Sequence, residues 1–141
     1  MMQAQQKKEK LNLIKKLCHE HLFVKDFDKN LKFLTETMKF NIIGTPLDKS
    51  LNVRLLKVGP DTVELIDTTQ RLRQCKCAFL VDNIEKEIDE LKKKGITIAE
   101  STGIAVAEFK ELRFKWVLIR MTGEEKFDGG WVELCEEVDW K

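Results

Sequence analysis

A short apolar segment that occurs twice decides the fold of this chain. The first copy is His19-Glu-His-Leu-Phe-Val24 followed by Lys25-Asp26, and the second is Lys76-Cys-Ala-Phe-Leu-Val81 followed by Asp82-Asn83. An offset of 57 residues superposes the two copies and also pairs the apolar residues that come after them. A repeat at this period is typical of a duplicated supersecondary unit.

Each copy predicts a strand followed by a helix. The runs Cys18–Val24 and Gln74–Val81 are rich in apolar residues and suit strands. Asp26 and Asn83 are good helix N-caps, because their side chains accept hydrogen bonds from the first free backbone N–H groups. Apolar residues then recur at helical spacing, at Phe27, Leu31, Leu34 and Met38 after the first strand and at Ile84, Ile88 and Leu91 after the second.

Three strand-like pieces follow each predicted helix. They are Phe40–Gly44, Asn52–Val58 and Thr62–Asp67 in the first half, and Ile96–Glu100, Leu112–Met121 and Trp131–Glu136 in the second. Gly59-Pro60-Asp61 is a tight hairpin signal, and Thr122–Gly130 connects the last two predicted strands. Both halves are thus βαβββ modules. We expect the additional 12 residues of the second module in loops around Ser101–Glu111 and Thr122–Phe127.

Length and charge limit the classes of protein to consider. A chain of 141 residues predicts one domain, and 25 Lys+Arg against 24 Asp+Glu argue against a dedicated nucleic-acid binder. No window reaches 18 apolar residues, and the charged N-terminus lacks the apolar core of a signal peptide. We therefore expect a cytoplasmic protein that binds neither nucleic acid nor membrane. It has a polar tail or docking helix over residues 1–16 and one domain over 17–141, with modules 17–70 and 71–141.

The four cysteines predict structural thiols rather than disulfides or zinc ligands. Without an export signal, Cys18, Cys75, Cys77 and Cys135 are expected to be reduced. The spacing Cys75-x-Cys77 is shorter than that of a structural zinc site, and no second pair completes four ligands. We interpret all four as small apolar residues of the core.

Four phrases of the sequence resemble the vicinal oxygen chelate superfamily, which includes glyoxalase I, bleomycin-resistance proteins, extradiol dioxygenases and methylmalonyl-CoA epimerase. They are His19-Glu-His-Leu-Phe-Val-Lys-Asp26, Val63-Glu-Leu-Ile-Asp67, Ala78-Phe-Leu-Val-Asp-Asn-Ile84 and Asp128-Gly-Gly-Trp-Val-Glu-Leu134. The resemblance covers residues 18–136. It implies a glyoxalase-like α+β fold in which two βαβββ modules form a cupped eight-stranded mixed sheet. It also implies a homodimer.

The resemblance further implies a divalent metal (Zn, Ni, Co, Mn or Fe) in the cleft of the sheet. Carried over by position, the ligand positions fall on His19, Glu64, Lys76 and Glu133. Strand alternation independently puts His19 and His21 on one face of their strand. Two carboxylates and an imidazole inside one concavity need compensation, because burying unpaired charge is costly. A cation is therefore expected there.

Lys76 stands where the family usually has His. A protonated Lys has no lone pair and cannot ligate a metal. Two alternatives follow. Either His19, Glu64 and Glu133 form a three-ligand metal site, helped by His21 or water, or Lys76 replaces the metal as the cation between the two glutamates.

The resemblance implies one of two functions. The first is a small-molecule isomerase or lyase, similar to methylmalonyl-CoA epimerase or glyoxalase I, in which a carboxylate removes a proton and a cation stabilises the resulting enolate. The second is a non-catalytic, metal-free protein that binds a small ligand, as bleomycin-resistance proteins do. Candidate residues are Glu133, Glu64 and Lys76 for catalysis and His21, Trp116 and Trp131 for substrate contact. Asp48 stands near the position of a further carboxylate in the epimerases.

Overall fold

The computed structural model describes residues 14–71, 73–122 and 130–140, which form one open mixed β-sheet with helices packed on it. The strands are β1 (Ile14–Val24), β2 (Asn41–Gly44), β3 (Val53–Val58), β4 (Asp61–Asp67), β5 (Cys77–Val81), β6 (Thr97–Ser101), β7 (Ala105–Glu108), β8 (Leu112–Thr122) and β9 (Trp131–Trp140). The helices are α1 (Phe27–Lys32), continued by a π-helical turn at Phe33–Thr37, and α2 (Ile84–Lys93). A 3₁₀ turn at Thr68–Gln70 follows β4.

The sheet consists of two related halves joined at its centre. The strand order is β2-β3-β4-β1-β5-β9-β8-β6, and β7 also pairs with β8. Within each half the first strand runs parallel to the last, since β1 pairs with β4 and β5 pairs with β9. The two halves meet where β1 and β5 pair in antiparallel orientation. The predicted α+β mixed sheet is thus confirmed, with nine strands in the described residues instead of eight.

The register at this junction brings the candidate site residues together. His21 is the partner of Glu64 across β1 and β4. Ala78 is the partner of both His19, across β1 and β5, and Glu133, across β5 and β9. Residues that are partners in a ladder point to the same face, so the four polar side chains lie side by side on neighbouring strands.

The helices cover the opposite face of the sheet. Asp26 and Asn83 cap them as predicted, accepting hydrogen bonds from the N–H groups of Lys29 (3.1 Å) and Lys86 (2.9 Å). Phe27 packs in one cluster with Leu56 and Leu65. Ile84 packs in another cluster with Val117, Leu134 and other strand residues. Leu65 and Leu134 are the chain neighbours of Glu64 and Glu133, so strand alternation leaves both glutamates on the face away from the helices.

One strand was not expected. β7 lies within Ser101–Glu111, which we predicted to be a loop. β8 is longer than β6, so β6 pairs only with the half of β8 that ends at Thr122. β7 pairs with Arg113–Trp116 in the other half of β8. Unpaired backbone groups along that edge are satisfied by the second partner. Residues 123–129, including Asp128 and the other predicted loop, lie outside the described residues.

The start of the domain also differs from the prediction. Residues 14–16 belong to β1, and Ile14 is the partner of Val81, so the sheet begins before residue 17. The predicted tail or docking helix otherwise falls on residues 1–13, outside the described residues. All four cysteines are free, as expected. In the part of the chain that is described, no helix is long and apolar enough to cross a membrane.

Candidate active site

Five polar side chains converge at the centre of the sheet. His19 and His21 come from β1, Glu64 from β4 and Glu133 from β9, and Arg71 reaches them from the chain that follows β4. His19, Glu64 and Glu133 are only 3%, 5% and 2% exposed. Buried ionisable groups persist only where they are paired or hold an ion, so this cluster is the candidate site.

Arg71 joins the two glutamates. Its Nη1 lies 3.2 Å from Oε1 of Glu64 and its Nη2 lies 2.6 Å from Oε1 of Glu133. The guanidinium also lies 5.8 Å from the ring centre of Trp116 and 6.0 Å from that of Phe23, within the range of cation–π attraction. Arg71 is therefore a cation shared by two carboxylates that belong to different halves of the sheet.

A tight turn returns Arg71 to the sheet. Oδ1 of Asp67 accepts hydrogen bonds from the backbone N–H (2.9 Å) and the hydroxyl (2.6 Å) of Thr69. Gln70 then binds the chain before β3, accepting from the N–H of Asn52 at 2.8 Å and donating to the carbonyl of Ser50 at 3.0 Å. Sequence reasoning missed Arg71. The signal that could have found it is the Asp-x-Thr cap directly after the strand that carries Glu64.

The structure does not place Lys76 between the glutamates, the position that one of the two alternatives gave it. Its side chain is exposed. Its backbone carbonyl accepts a hydrogen bond from the N–H of His21 at 2.8 Å, which places Lys76 just before the first residue of β5. The side chain at the centre of β5 is that of Ala78, which is too small to reach the carboxylates. Arg71 makes the contacts that were expected of Lys76.

The tautomer of His21 follows from its hydrogen bond. Nδ1 lies 2.7 Å from the carbonyl oxygen of Cys75, which can only accept, so Nδ1 carries a hydrogen. Nε2 lies 3.6 Å from Oε1 of Glu64 and 3.6 Å from Oε1 of Glu133. Within the described residues this buried Nε2 has no hydrogen-bond partner. In the neutral ring, its lone pair therefore faces two carboxylates, an arrangement that a cation stabilises.

Burial and charge act in opposite directions on His19 and Glu133. Burial lowers the pKa of His19, but the negative charge of Glu64, the neighbouring Cys18 thiol and the Glu133 carboxylate 3.3 Å away outweigh it, so the pKa is well above its usual value. Burial raises the pKa of Glu133, but the neighbouring imidazole rings of His19 (Nε2 at 3.3 Å) and His21 (Nε2 at 3.6 Å) favour its carboxylate form and hold the pKa well below the usual range. Without a metal the site therefore favours an imidazolium beside a carboxylate.

Three of these side chains also fit a divalent metal. Ligand atoms of His19, His21 and Glu133 all lie within 4.8 Å of one another. The separation of His19 Nε2 from Glu133 Oε2 is 3.3 Å, and that of His21 Nε2 from Glu133 Oε1 is 3.6 Å. Ligand bonds of about 2.1 Å in a tetrahedron have edges of about 3.4 Å, so each imidazole nitrogen lies at about the ligand-to-ligand distance from one oxygen of Glu133. The structure thus has a possible His/Glu metal site, and His21 belongs to it as much as the predicted His19 and Glu133.

A cavity of about 620 Å³ opens onto the glutamates. Glu64, Glu133 and Arg71 form its polar floor, and Asp48 and Arg73 add charged groups to its lining. The walls are mostly apolar and include Leu47, Leu51, Val53, Val106, Phe109 and Trp116. The cavity can therefore hold a small molecule that has an apolar body and a polar end.

The predicted substrate contacts are only partly at this cavity. Trp116 lines it. Trp131 and His21 are not among the described residues that line the cavity. The side chain of His21 is fully buried, and the ring of Trp131 lies under Arg73, with its centre 5.3 Å from the guanidinium carbon. Asp48 lines the cavity, but its Oδ1 accepts hydrogen bonds from the N–H and hydroxyl of Ser50 and so shapes the local turn.

Comparison with known proteins identifies the fold. No family model matches the chain, and no curated protein matches it by sequence. Among solved structures, a hypothetical protein from Bacillus halodurans C-125 is 19% identical with a TM-score of 0.64, covering 89% of this chain and 96% of that one. Methylmalonyl-CoA epimerase from Mycobacterium tuberculosis is 15% identical with a TM-score of 0.64, covering 90% and 91%.

A third solved structure names the superfamily. The glyoxalase/bleomycin resistance protein/dioxygenase superfamily member from Vibrio splendidus 12B01 is 14% identical with a TM-score of 0.51, covering 85% of this chain and 97% of that one. These identities are low, so the likeness concerns the fold, and function has to be argued from the site. The chain therefore has the vicinal oxygen chelate fold that the sequence phrases indicated.

Proposed function

We propose that this protein is an isomerase or lyase that moves a proton at a carbon next to a carbonyl group of a small anionic molecule. One observation carries the proposal: Glu64 and Glu133 lie side by side, almost fully buried, at the floor of a cavity whose walls are mostly apolar. A carboxylate in such a place can remove a proton from a bound substrate. The fold is shared with a methylmalonyl-CoA epimerase, which supports this class of reaction.

Glu64 is the better general base of the two. Glu133 accepts hydrogen bonds from Nη2 of Arg71 at 2.6 Å and from the thiol of Cys135 at 3.2 Å. Burial raises its pKa, but the two nearby histidine rings outweigh burial and hold the pKa well below the usual range. A carboxylate stabilised in this way is a weak base. Glu64 faces the same cavity with the longer 3.2 Å contact to Arg71, so we assign proton removal to Glu64, and Glu133 holds the cation of the site.

His19, His21 and Glu133 would hold a divalent metal. When bound, the metal supplies Lewis-acid stabilisation for the oxygen that becomes negative after the proton leaves. Imidazole and carboxylate ligands suit Zn, Ni, Co, Mn and Fe alike. The hydrogen bond from His21 to the Cys75 carbonyl fixes the ring so that Nε2 faces the site, as outer partners of metal-binding histidines do.

The lining of the cavity indicates the kind of substrate. Two arginines, Arg71 and Arg73, lie in the lining together with several carboxylates, and most of the remaining wall is aliphatic or aromatic. Arginine recognises carboxylate and phosphate groups with paired N–H donors. We therefore expect an organic anion with an apolar portion that packs near Trp116, bound by a protein that works as a homodimer.

Deuterium exchange tests the assignment of Glu64. Protein loaded with Co²⁺ or Zn²⁺ is incubated with methylmalonyl-CoA in deuterated buffer, and incorporation of deuterium is followed by mass spectrometry. We expect Glu64→Gln to reduce exchange at least about 100-fold, since general-base catalysis contributes a factor of that order. Glu20→Gln is the matched control, because Glu20 is an exposed neighbour of both histidines on β1. Equal exchange by the parent and Glu64→Gln would overturn the assignment.

The ion pairs of Arg71 support a second candidate function. Because a guanidinium already neutralises part of the glutamate charge, the cavity is also compatible with a metal-free protein that binds an anionic ligand without converting it. In that case methylmalonyl-CoA would change the tryptophan fluorescence, with no deuterium incorporated at any metal concentration.

A further inference from the structure

We infer that Arg71 and a divalent metal compete for the same carboxylates, so that Arg71 has to leave them before the site can be loaded. The inference rests on the metal site of the proposed function and concerns how that site is regulated. It assigns to Arg71 a role in deciding when the site accepts a metal.

The contacts of the two cations overlap at single atoms. Nη2 of Arg71 lies 2.6 Å from Oε1 of Glu133, and His21 Nε2 approaches this same oxygen to 3.6 Å. Nη1 lies 3.2 Å from Oε1 of Glu64, which His21 Nε2 also approaches to 3.6 Å. The guanidinium therefore lies against the oxygens that face the unpartnered imidazole nitrogen. Two cations at one carboxylate oxygen repel each other strongly when water is largely excluded.

Charge balance leads to the same conclusion. The two glutamates contribute two negative charges to a floor that is more than nine-tenths buried. A divalent ion with neutral imidazole ligands balances these two charges alone. With Arg71 still in place, the site would carry one positive charge in excess, and an unpaired buried charge is costly. A divalent ion alone balances the carboxylates, whereas a divalent ion together with Arg71 does not.

Arg71 can leave without any change to the sheet. It belongs to the turn that follows β4, and its side chain is 19% exposed whereas those of the glutamates are 7% and 3% exposed. The guanidinium already lines the cavity, and it lies 5.8 Å from the ring of Trp116 on the cavity wall. Rotation of this one side chain towards the cavity would release both carboxylates. His19, His21, Glu64 and Glu133, all on strands, would stay in place.

Cobalt titration of the full chain tests the competition. Co²⁺ is added to chelator-treated protein, and binding is measured by visible absorption and by calorimetry for the parent, Arg71→Met and Arg73→Met. Methionine keeps most of the side-chain length without the charge. Arg73→Met is the matched control, because Arg73 lines the same cavity but its guanidinium stacks on Trp131. We expect Arg71→Met to bind Co²⁺ at least about tenfold more tightly than the parent, and Arg73→Met to stay within about twofold.

The outcomes separate the inference from the proposed function. If the parent and Arg71→Met bind Co²⁺ with equal affinity, the metal site stands and the competition is refuted. If neither binds Co²⁺ at millimolar concentration, the metal site itself is refuted. Arg71→Gln, which keeps a neutral N–H donor for the glutamates, provides the same comparison should Arg71→Met not fold.

Discussion

Removing Arg71 should destabilise the metal-free protein by about 3 kcal/mol. Taking away one partner of a buried ion pair typically costs 3–5 kcal/mol, because the remaining charge is left uncompensated. Arg71 is 19% exposed, which lowers the cost, but it serves two carboxylates that are 7% and 3% exposed. We therefore expect the lower end of the range for Arg71→Met. For a chain of this length, that corresponds to a fall in Tm of roughly 10 °C.

The assay is urea unfolding in the presence of chelator, followed by circular dichroism at one protein concentration. The control is Arg73→Met, which removes an exposed arginine stacked on Trp131 and should cost less than about 1 kcal/mol. Metal should then rescue the Arg71 variant. Co²⁺ at about 100 times its dissociation constant adds about 2.7 kcal/mol, most of the amount lost.

Two results would refute this reasoning. If Arg71→Met in chelator is within about 1 kcal/mol of the parent, the glutamates do not depend on Arg71 for their stability. If Arg73→Met costs as much as Arg71→Met, the loss reflects general arginine packing and not the contacts with Glu64 and Glu133.

Three further predictions concern the helix α2, the core and the assembly. Glu87 is 4% exposed and burial raises its pKa, so the folded state holds the Glu87 proton more tightly than the unfolded state does. Glu87→Met should therefore raise the free energy of unfolding at neutral pH by up to about 1 kcal/mol. This gain should vanish as the pH falls below about 4, where the carboxyl is protonated in both states. A gain that is equally large at acid pH would contradict this. Leu65→Ala should cost about 3 kcal/mol in urea unfolding, because Leu65 is fully buried against Phe27 and Leu56, whereas Leu22→Ala, at a 41% exposed position, should cost less than about 1 kcal/mol. Light scattering should give twice the mass of the chain, as the superfamily resemblance implies, and a monomer would count against the homodimer.

Much of the fold could be predicted because its signals are local. Alternation of apolar residues at a period of two marks the strands, and an N-cap depends on a residue and the backbone three positions later. Both caps, at Asp26 and Asn83, were therefore predictable. β7 was not, because Ala105–Glu108 has no strong strand pattern of its own. It forms where β8 leaves backbone groups to be paired.

The candidate site divides in the same way. His19, Glu64 and Glu133 were recognised from strand patterns and a family resemblance, and the structure places Nε2 of His19 within 4 Å of both carboxylates. Strand patterns and the family resemblance could not tell whether Lys76 or Arg71 is the cation that contacts the glutamates. Lys76 occupies the position that the repeat suggests, yet its side chain is exposed, whereas Arg71 lies outside any recognised pattern.

By itself, then, the sequence determined two repeated strand–helix units and their caps, because each rests on the spacing of neighbouring residues, and the family resemblance of its phrases pointed to the two glutamates. Only the tertiary structure decided which cation faces those glutamates. That choice depends on the register between β1 and β5, which puts Ala78 at the centre, and on the turn after β4, whose hydrogen bonds direct Arg71 back over the sheet. Contacts between residues 62 positions apart, such as that of Arg71 with Glu133, have no local signal.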